Sequence, residues 1–222
     1  MSDLGDFIAH PRTFLRNNVL VVSAGTGGTG GVKTFQFARV NTLTARNMLQ
    51  GGEPAMPVFS LSLGLSKPGE NVDAYWCPYS ASAALGTTLP GRGGPNMMFT
   101  YAMDGCTFVA GSRTPTNDIT VHHVNMTPKT KQNLDLSVAG QQQRKIQRNV
   151  AKGLVTNGEL IDPDDYYDPT TRQVPVPNNA KISTVTFGRR SSGGAWKFYI
   201  HQYYTVPGER TLLRFIGCER CI

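Results

Sequence analysis

Cys106 and His123 are the side chains whose types and spacing allow covalent chemistry. Cys106 follows a glycine in Met103-Asp104-Gly105-Cys106-Thr107-Phe108-Val109-Ala110, so a turn precedes the thiol and an apolar run follows it. Glycine at that point permits a tight turn and lets a substrate amide come close. Seventeen residues later, Val121-His122-His123-Val124 offers two imidazoles. If the two segments pair as neighbouring strands, a histidine reaches the thiol and draws off its proton; a nearby imidazolium would lower the thiol pKa. Successive side chains face opposite sides of a strand, so only one of His122 and His123 can serve. Spacing alone does not choose between them. It also leaves open a core cysteine beside two edge-strand histidines.

The elements that must hold these residues are mostly strands. Val19–Val22 is a β-branched and aliphatic run, and Phe35, Phe37 and Val40 mark a second strand. The glycine-rich stretch 25–31 between them predicts a hairpin with a loose tip. Residues 58–65 alternate apolar and small polar side chains with the period of a half-buried strand. Strands are also predicted over 74–77, 97–101, 106–110, 119–124, 182–187, 196–204 and 211–216. A helical turn is expected at 45–49, a Gly/Pro loop at 85–96 and an acidic, Pro-containing loop at 162–177. The one segment with clear helical character is 141–155, where Ile146, Val150 and Leu154 recur every fourth residue. The pattern predicts an α+β fold: a central β-sandwich of mostly antiparallel strands flanked by a few helices and long loops. A single domain over residues 1–222 is expected, since no linker divides the chain.

Composition narrows the function classes. Hydrophobic residues make up 39% of the 222, which argues against global disorder, and 24 Gly with 14 Pro favour strands and turns over a helical bundle. No stretch approaches the roughly 18 apolar residues of a membrane span, so membrane insertion is not expected. Net charge is +7, but arginine and aromatic residues interleave only faintly, so nucleic acid is not an expected partner. Residues 1–18 carry acids and a proline where a Sec signal would be basic and then apolar. Four cysteines are too sparse for a disulfide scaffold and fit a reducing compartment.

Several motifs fail on physical grounds. Gly25-x-Gly27-x-x-Gly30 matches a dinucleotide fingerprint in letters, but Phe35 and Phe37 alternate as in a strand where a helix must open. The same stretch fails as a P-loop because Val32 precedes Lys33-Thr34. Cys218-x-x-Cys221 lacks two further zinc ligands at matching spacing. His10 and His201 read as surface or core histidines, and Cys77 as a buried small hydrophobe.

The run from Phe99 to Gly111, followed by Val121-x-His123-Val124, resembles the catalytic region of the Burkholderia lethal factor group, distant relatives of the cytotoxic necrotizing factor deamidases. Tyr75-Trp76-Cys77-Pro78-Tyr79 is similar to that group's Trp-x-Pro-aromatic strand end. Thr186-Phe187-Gly188-Arg189 and Gln202-Tyr203-Tyr204 have looser counterparts. The resemblance implies that Cys106 is the nucleophile, that His123 rather than His122 is the general acid/base, and that Thr100 orients the histidine. It implies deamidation of a glutamine in a host protein such as a small GTPase or translation factor, without metal or organic cofactor. It further implies a chain made in a bacterial cytoplasm and delivered to host cytosol. A cysteine protease or transglutaminase would use the same dyad, and a binding protein could keep the fold without catalysis. The resemblance departs at Asp104, where the family has serine; a carboxylate turned inward there raises the thiol pKa.

Overall fold

The computed structural model describes residues 2–23, 28–64, 70–112, 118–126, 138–167 and 174–220. The chain starts with two short helices, α1 (Asp3–Ala9), N-capped by Ser2, and α2 (Pro11–Asn17), opened by proline. Both are amphipathic, and Leu4, Phe7, Phe14 and Leu15 are buried.

Strands follow in the order β1 (Val19–Val22), β2 (Gly31–Arg39), β3 (Thr44–Asn47), β4 (Ala55–Met56), β5 (Val58–Leu63), β6 (Glu70–Cys77), β7 (Ala83–Leu89), β8 (Met97–Thr100), β9 (Thr107–Ser112) and β10 (Ile119–Asn125). After helix α3 (Val138–Leu154) come β11 (Thr156–Ile161), α4 (Pro163–Tyr167), β12 (Lys181–Arg190), β13 (Trp196–Thr205) and β14 (Leu212–Arg220).

Ten strands form one mixed sheet, ordered β1-β5-β2-β6-β8-β12-β13-β14-β3-β4. It curls until β1 lies against β12 and β13, and the Leu20 N–H donates across the interior to His201 Nε2 at 3.2 Å. The result is a mostly β protein whose main sheet is a nearly closed, barrel-like surface. The expected sandwich is therefore corrected: closure buries the inner face of one sheet on itself, with α1 and α2 filling the interior. There Phe7 stacks on Phe37 at 5.3 Å and lies 6.0 Å from Phe99. A four-stranded antiparallel sheet, β11-β9-β10-β7, packs on the outer face of this barrel, so a sandwich-like contact survives locally.

Alternation along the strands assigns each side chain to a layer. On β6, Val72, Ala74 and Trp76 enter the barrel, whereas Tyr75 and Cys77 face the small sheet. On β8, Met97 and Phe99 point inward and Met98 outward. On β9 and β10, Phe108, Ala110 and Val121 face the barrel, while Val109 and Val124 face α3.

Other expectations are also corrected. The hairpin of β1 and β2 does not form, because β5 lies between them, parallel to β1 and antiparallel to β2. The helical turn at 45–49 is occupied by β3, which pairs with β14. The loop at 85–96 begins as the end of β7. The acidic loop from Asp162 contains α4. Residues 24–27 of the glycine-rich stretch and Cys221 lie outside the described residues, but β2 opens at Gly31 as a strand, not a phosphate-holding helix.

Candidate active site

The site lies between the two sheets, at the end of β8. Thr100 Oγ1 and His123 Nδ1 are 2.7 Å apart, and both residues are buried. β9 and β10 pair His123 with Phe108 and Val124 with Thr107. One further step along that ladder puts Cys106 opposite Asn125 and diagonally next to His123 on the same face. His122, by alternation, faces the α3 side.

Cys106 and His123 do not hydrogen-bond to each other. His123 Nε2 is buried with no hydrogen-bond partner among the described residues. Burial pushes the His123 pKa down to about 3. Burial, then the charge of Asp104, push the Cys106 thiol up to about 12, partly offset by the Asp104 backbone N–H. Both shifts favour a neutral thiol and a neutral imidazole over a thiolate beside an imidazolium. Two nearly dry groups without direct contact hold no ion pair.

Asp104 itself points outward and pairs with Lys181 Nζ at 2.9 Å. Tyr79, Tyr101, Asp104 and Lys181 form the partly exposed rim above the thiol. The Tyr79 ring stacks on Tyr101 at 5.4 Å and tilts against His123 at 4.9 Å. Asn125 Nδ2 donates to Tyr79 Oη at 2.9 Å. Removing the carboxylate in Asp104→Ser should shift alkylation of Cys106 by iodoacetamide to lower pH. The thiol stays above its ordinary range, since burial is the larger cause; an unshifted rate–pH curve would show that Asp104 does not act on the thiol.

The turn that presents Cys106 is held by two residues absent from the sequence reading. Gly105 adopts φ +139°, a conformation that disfavours side chains. Tyr166 Oη accepts from the Gly105 N–H at 3.0 Å and donates to the Cys106 carbonyl at 2.6 Å. Gln147 Nε2 donates to the Gly105 carbonyl at 2.9 Å, while its Oε1 accepts from the Met126 N–H at 3.0 Å. In a trans peptide the C=O and the next N–H point opposite ways. Anchoring the Gly105 carbonyl on α3 therefore aims the Cys106 N–H away from that helix.

These anchors explain the helices that carry them. Among the described side chains of α3, Gln143, Gln147 and Ala151 are buried, and Ile146 is half exposed. The buried stripe is rotated one residue from the predicted Ile146-Val150-Leu154 line, because Gln147 must reach the turn. Asp162 and Asp165 form a reciprocal cap at the start of α4: the Asp164 N–H donates to Asp162 Oδ1 at 2.8 Å, and the Asp162 N–H to Asp165 Oδ2 at 2.7 Å. Arg148 binds Asp162 and Asp164, fastening α4 to α3. The letters Asp-Pro-Asp-Asp, with proline at the first helical position, were the readable signal for this helix. Tyr166→Phe should cost about 1–3 kcal/mol, since a buried C=O and a part-buried N–H both lose their partner. Urea unfolding checks this; a change below about 0.5 kcal/mol would mean the turn does not depend on Tyr166.

A cleft of about 990 Å³ lies at the other end of β8, lined by Arg92, Arg189, Arg190 and the glycine-containing turns 91–96 and 191–194. Among the described residues its lining contains no histidine, cysteine or carboxylate. Arg190 is committed there to the Pro90 and Gly94 carbonyls and to the Trp196 ring.

No protein-family model and no curated protein matches this chain. Among solved structures, it is similar to the crystal structure of the C-terminal domain of CNFy from Yersinia pseudotuberculosis. That similarity has a TM-score of 0.44 and 9% identity, over 98% of this chain and 96% of that one. It is a likeness in outline, and the functional reading rests on the residues of the site.

Proposed function

We propose that this protein is a protein-glutamine deamidase, with Cys106 as nucleophile, His123 as general acid/base and Thr100 holding the imidazole. The observation that carries the reading is His123: Nδ1 tied to Thr100 at 2.7 Å, Nε2 buried and without a hydrogen-bond partner among the described residues, on the sheet face that continues to Cys106.

Attack begins from the neutral pair. His123 Nε2 takes the thiol proton as sulfur bonds to the side-chain carbonyl carbon of the glutamine. The Cys106 N–H, aimed by the Gln147 anchor, stabilises the oxyanion. The C–N bond then breaks, and the imidazolium proton leaves with ammonia. Water attacks the thioester with His123 again accepting a proton, and the C–S bond breaks to give glutamate and the regenerated thiol. Tyr79 and Tyr101 at the rim suit the aliphatic part of a glutamine side chain, and a folded host protein, such as a small GTPase or translation factor, would present it.

His123→Ala should lower ammonia release by about 10²–10⁴-fold, the range of a positioned acid/base. His122→Ala, altered on the opposite face, should keep most of it. Equal loss in the two variants would overturn the assignment.

A further inference from the structure

The cleft at the far end of β8 carries charge that the proposed chemistry does not use. It encloses about 990 Å³ and is lined by Arg92, Arg189 and Arg190. Among the described residues, none of the three forms an ion pair with a carboxylate. Asp118 touches the rim, but its Oδ1 accepts from the Gly91 N–H at 3.1 Å. Arg190 is held by the neutral Pro90 and Gly94 carbonyls at 2.8 and 2.9 Å, which fix the guanidinium without cancelling its charge. Arg189 stands opposite Lys197 across the β12–β13 ladder. Like charges directly opposite one another destabilise a sheet, and a bound anion relieves that repulsion.

The backbone adds donors to the same space. The turns 91–94 and 191–194 close on their surroundings through glycine: a Cβ on Gly94 would collide with Tyr75 Oη, and one on Gly194 with the Gly91 carbonyl oxygen. Gly93, at φ +70°, has open space where a Cβ would stand. Among the described residues, nothing accepts from the N–H groups of Arg92, Gly93, Ser192 and Gly193. Free N–H groups of glycine turns, set beside guanidinium groups, suit phosphate oxygens. The Trp196 ring beside the cleft is buried, with Arg190 over it and Phe198 stacked on it, so it offers no platform for a nucleobase.

We propose that this cleft binds a ligand carrying two or more phosphate groups, either a free phosphorylated compound or a lipid headgroup. Three guanidinium groups without an acid partner call for more than one negative charge. The volume falls in the range of small-ligand sites, roughly 300–1,000 Å³, and exceeds what one phosphate fills. The inference does not rest on the deamidase reading, because the cleft and Cys106 lie toward opposite ends of β8.

The test is calorimetric titration of the full chain with inorganic tripolyphosphate in about 0.15 M NaCl, where long-range attraction is screened. Wild type should bind saturably. Arg92→Gln/Arg189→Gln should weaken binding by about tenfold or more. Arg12→Gln/Arg16→Gln removes the same charge from exposed positions on α2 and should change it by less than about twofold. Arg92→Gln alone, at an exposed side chain, should still weaken binding about threefold or more, and it decides if the double variant fails to fold. Vesicles of phosphatidylcholine with and without phosphatidylinositol bisphosphate separate the sources. Retention that needs the bisphosphate lipid and is lost in the cleft variant assigns a headgroup; tripolyphosphate binding without retention assigns a free compound. A wild-type protein that does not bind tripolyphosphate saturably, or equal weakening in the cleft and α2 variants, overturns the proposal.

Discussion

Cys106→Ser should reduce ammonia release from a glutamine-containing protein substrate by about 10³-fold or more, with the fold unchanged. The site explains both halves of this expectation. Cys106 is buried and almost isosteric with serine, and an oxygen can accept the Asp104 backbone N–H as the sulfur does. Its carbonyl and the preceding N–H are held by Tyr166, which the substitution does not touch. Stability should therefore change by less than about 1 kcal/mol. Chemistry should not survive, because His123 Nε2 is an uncharged base in a dry site and a serine hydroxyl is far harder to deprotonate than a thiol. The resting state adds a second mark. With the thiol up near 12 and the imidazole down near 3, neither group titrates between pH 5 and pH 9, and any limbs of the pH–rate profile in that range must come from other groups.

The second large effect is acid lability. His123 and His201 are both buried, and burial pushes each pKa down to about 3. His201 Nε2 already accepts the Leu20 N–H, so a protonated ring would set N–H against N–H. Both native values lie below the ordinary imidazole value near 6.5, so between about pH 6.5 and pH 3 the unfolded chain binds more protons than the native one. Stability from these groups is complete above pH 6.5 and is lost as pH falls. At about 1.4 kcal/mol per pH unit per histidine, the pair should remove about 4 kcal/mol between pH 7 and pH 5, a large share of the roughly 5–15 kcal/mol of a typical domain. His201→Gln keeps an acceptor and does not titrate; urea unfolding at the two pH values should show about half the wild-type loss. An undiminished loss would mean that His201 is not held neutral in the barrel.

What the sequence made legible was local. Gly105-Cys106, the alternation that separates His122 from His123, and most strand positions follow from residue types and a period of two. The supports of the site were hidden for the opposite reason. Tyr166 touches a turn sixty residues away, and Gln147 is a polar residue on a buried helix face where periodicity looks for apolar ones. The helix rule marked Ile146, which is half exposed, because the rule weighs hydrophobicity and cannot weigh a hydrogen bond to the Gly105 carbonyl. Cys77 was read correctly as buried, but its register opposite Thr100 depends on a parallel pairing of β6 and β8 that no local pattern announces. The missed topology has a similar cause: β1 is an almost wholly buried aliphatic run, suited to a parallel neighbour such as β5, and the default of pairing sequential strands fails there.

The central claim is that Cys106 converts protein glutamine to glutamate. The most direct measurement is mass spectrometry of a eukaryotic lysate treated with the wild-type protein or with Cys106→Ser. A restricted set of glutamines should appear as glutamate with wild type only, without new chain termini and without incorporated amines. Conversion that persists with Cys106→Ser, or a wild-type protein that yields cleaved chains or amine adducts in place of glutamate, would contradict it.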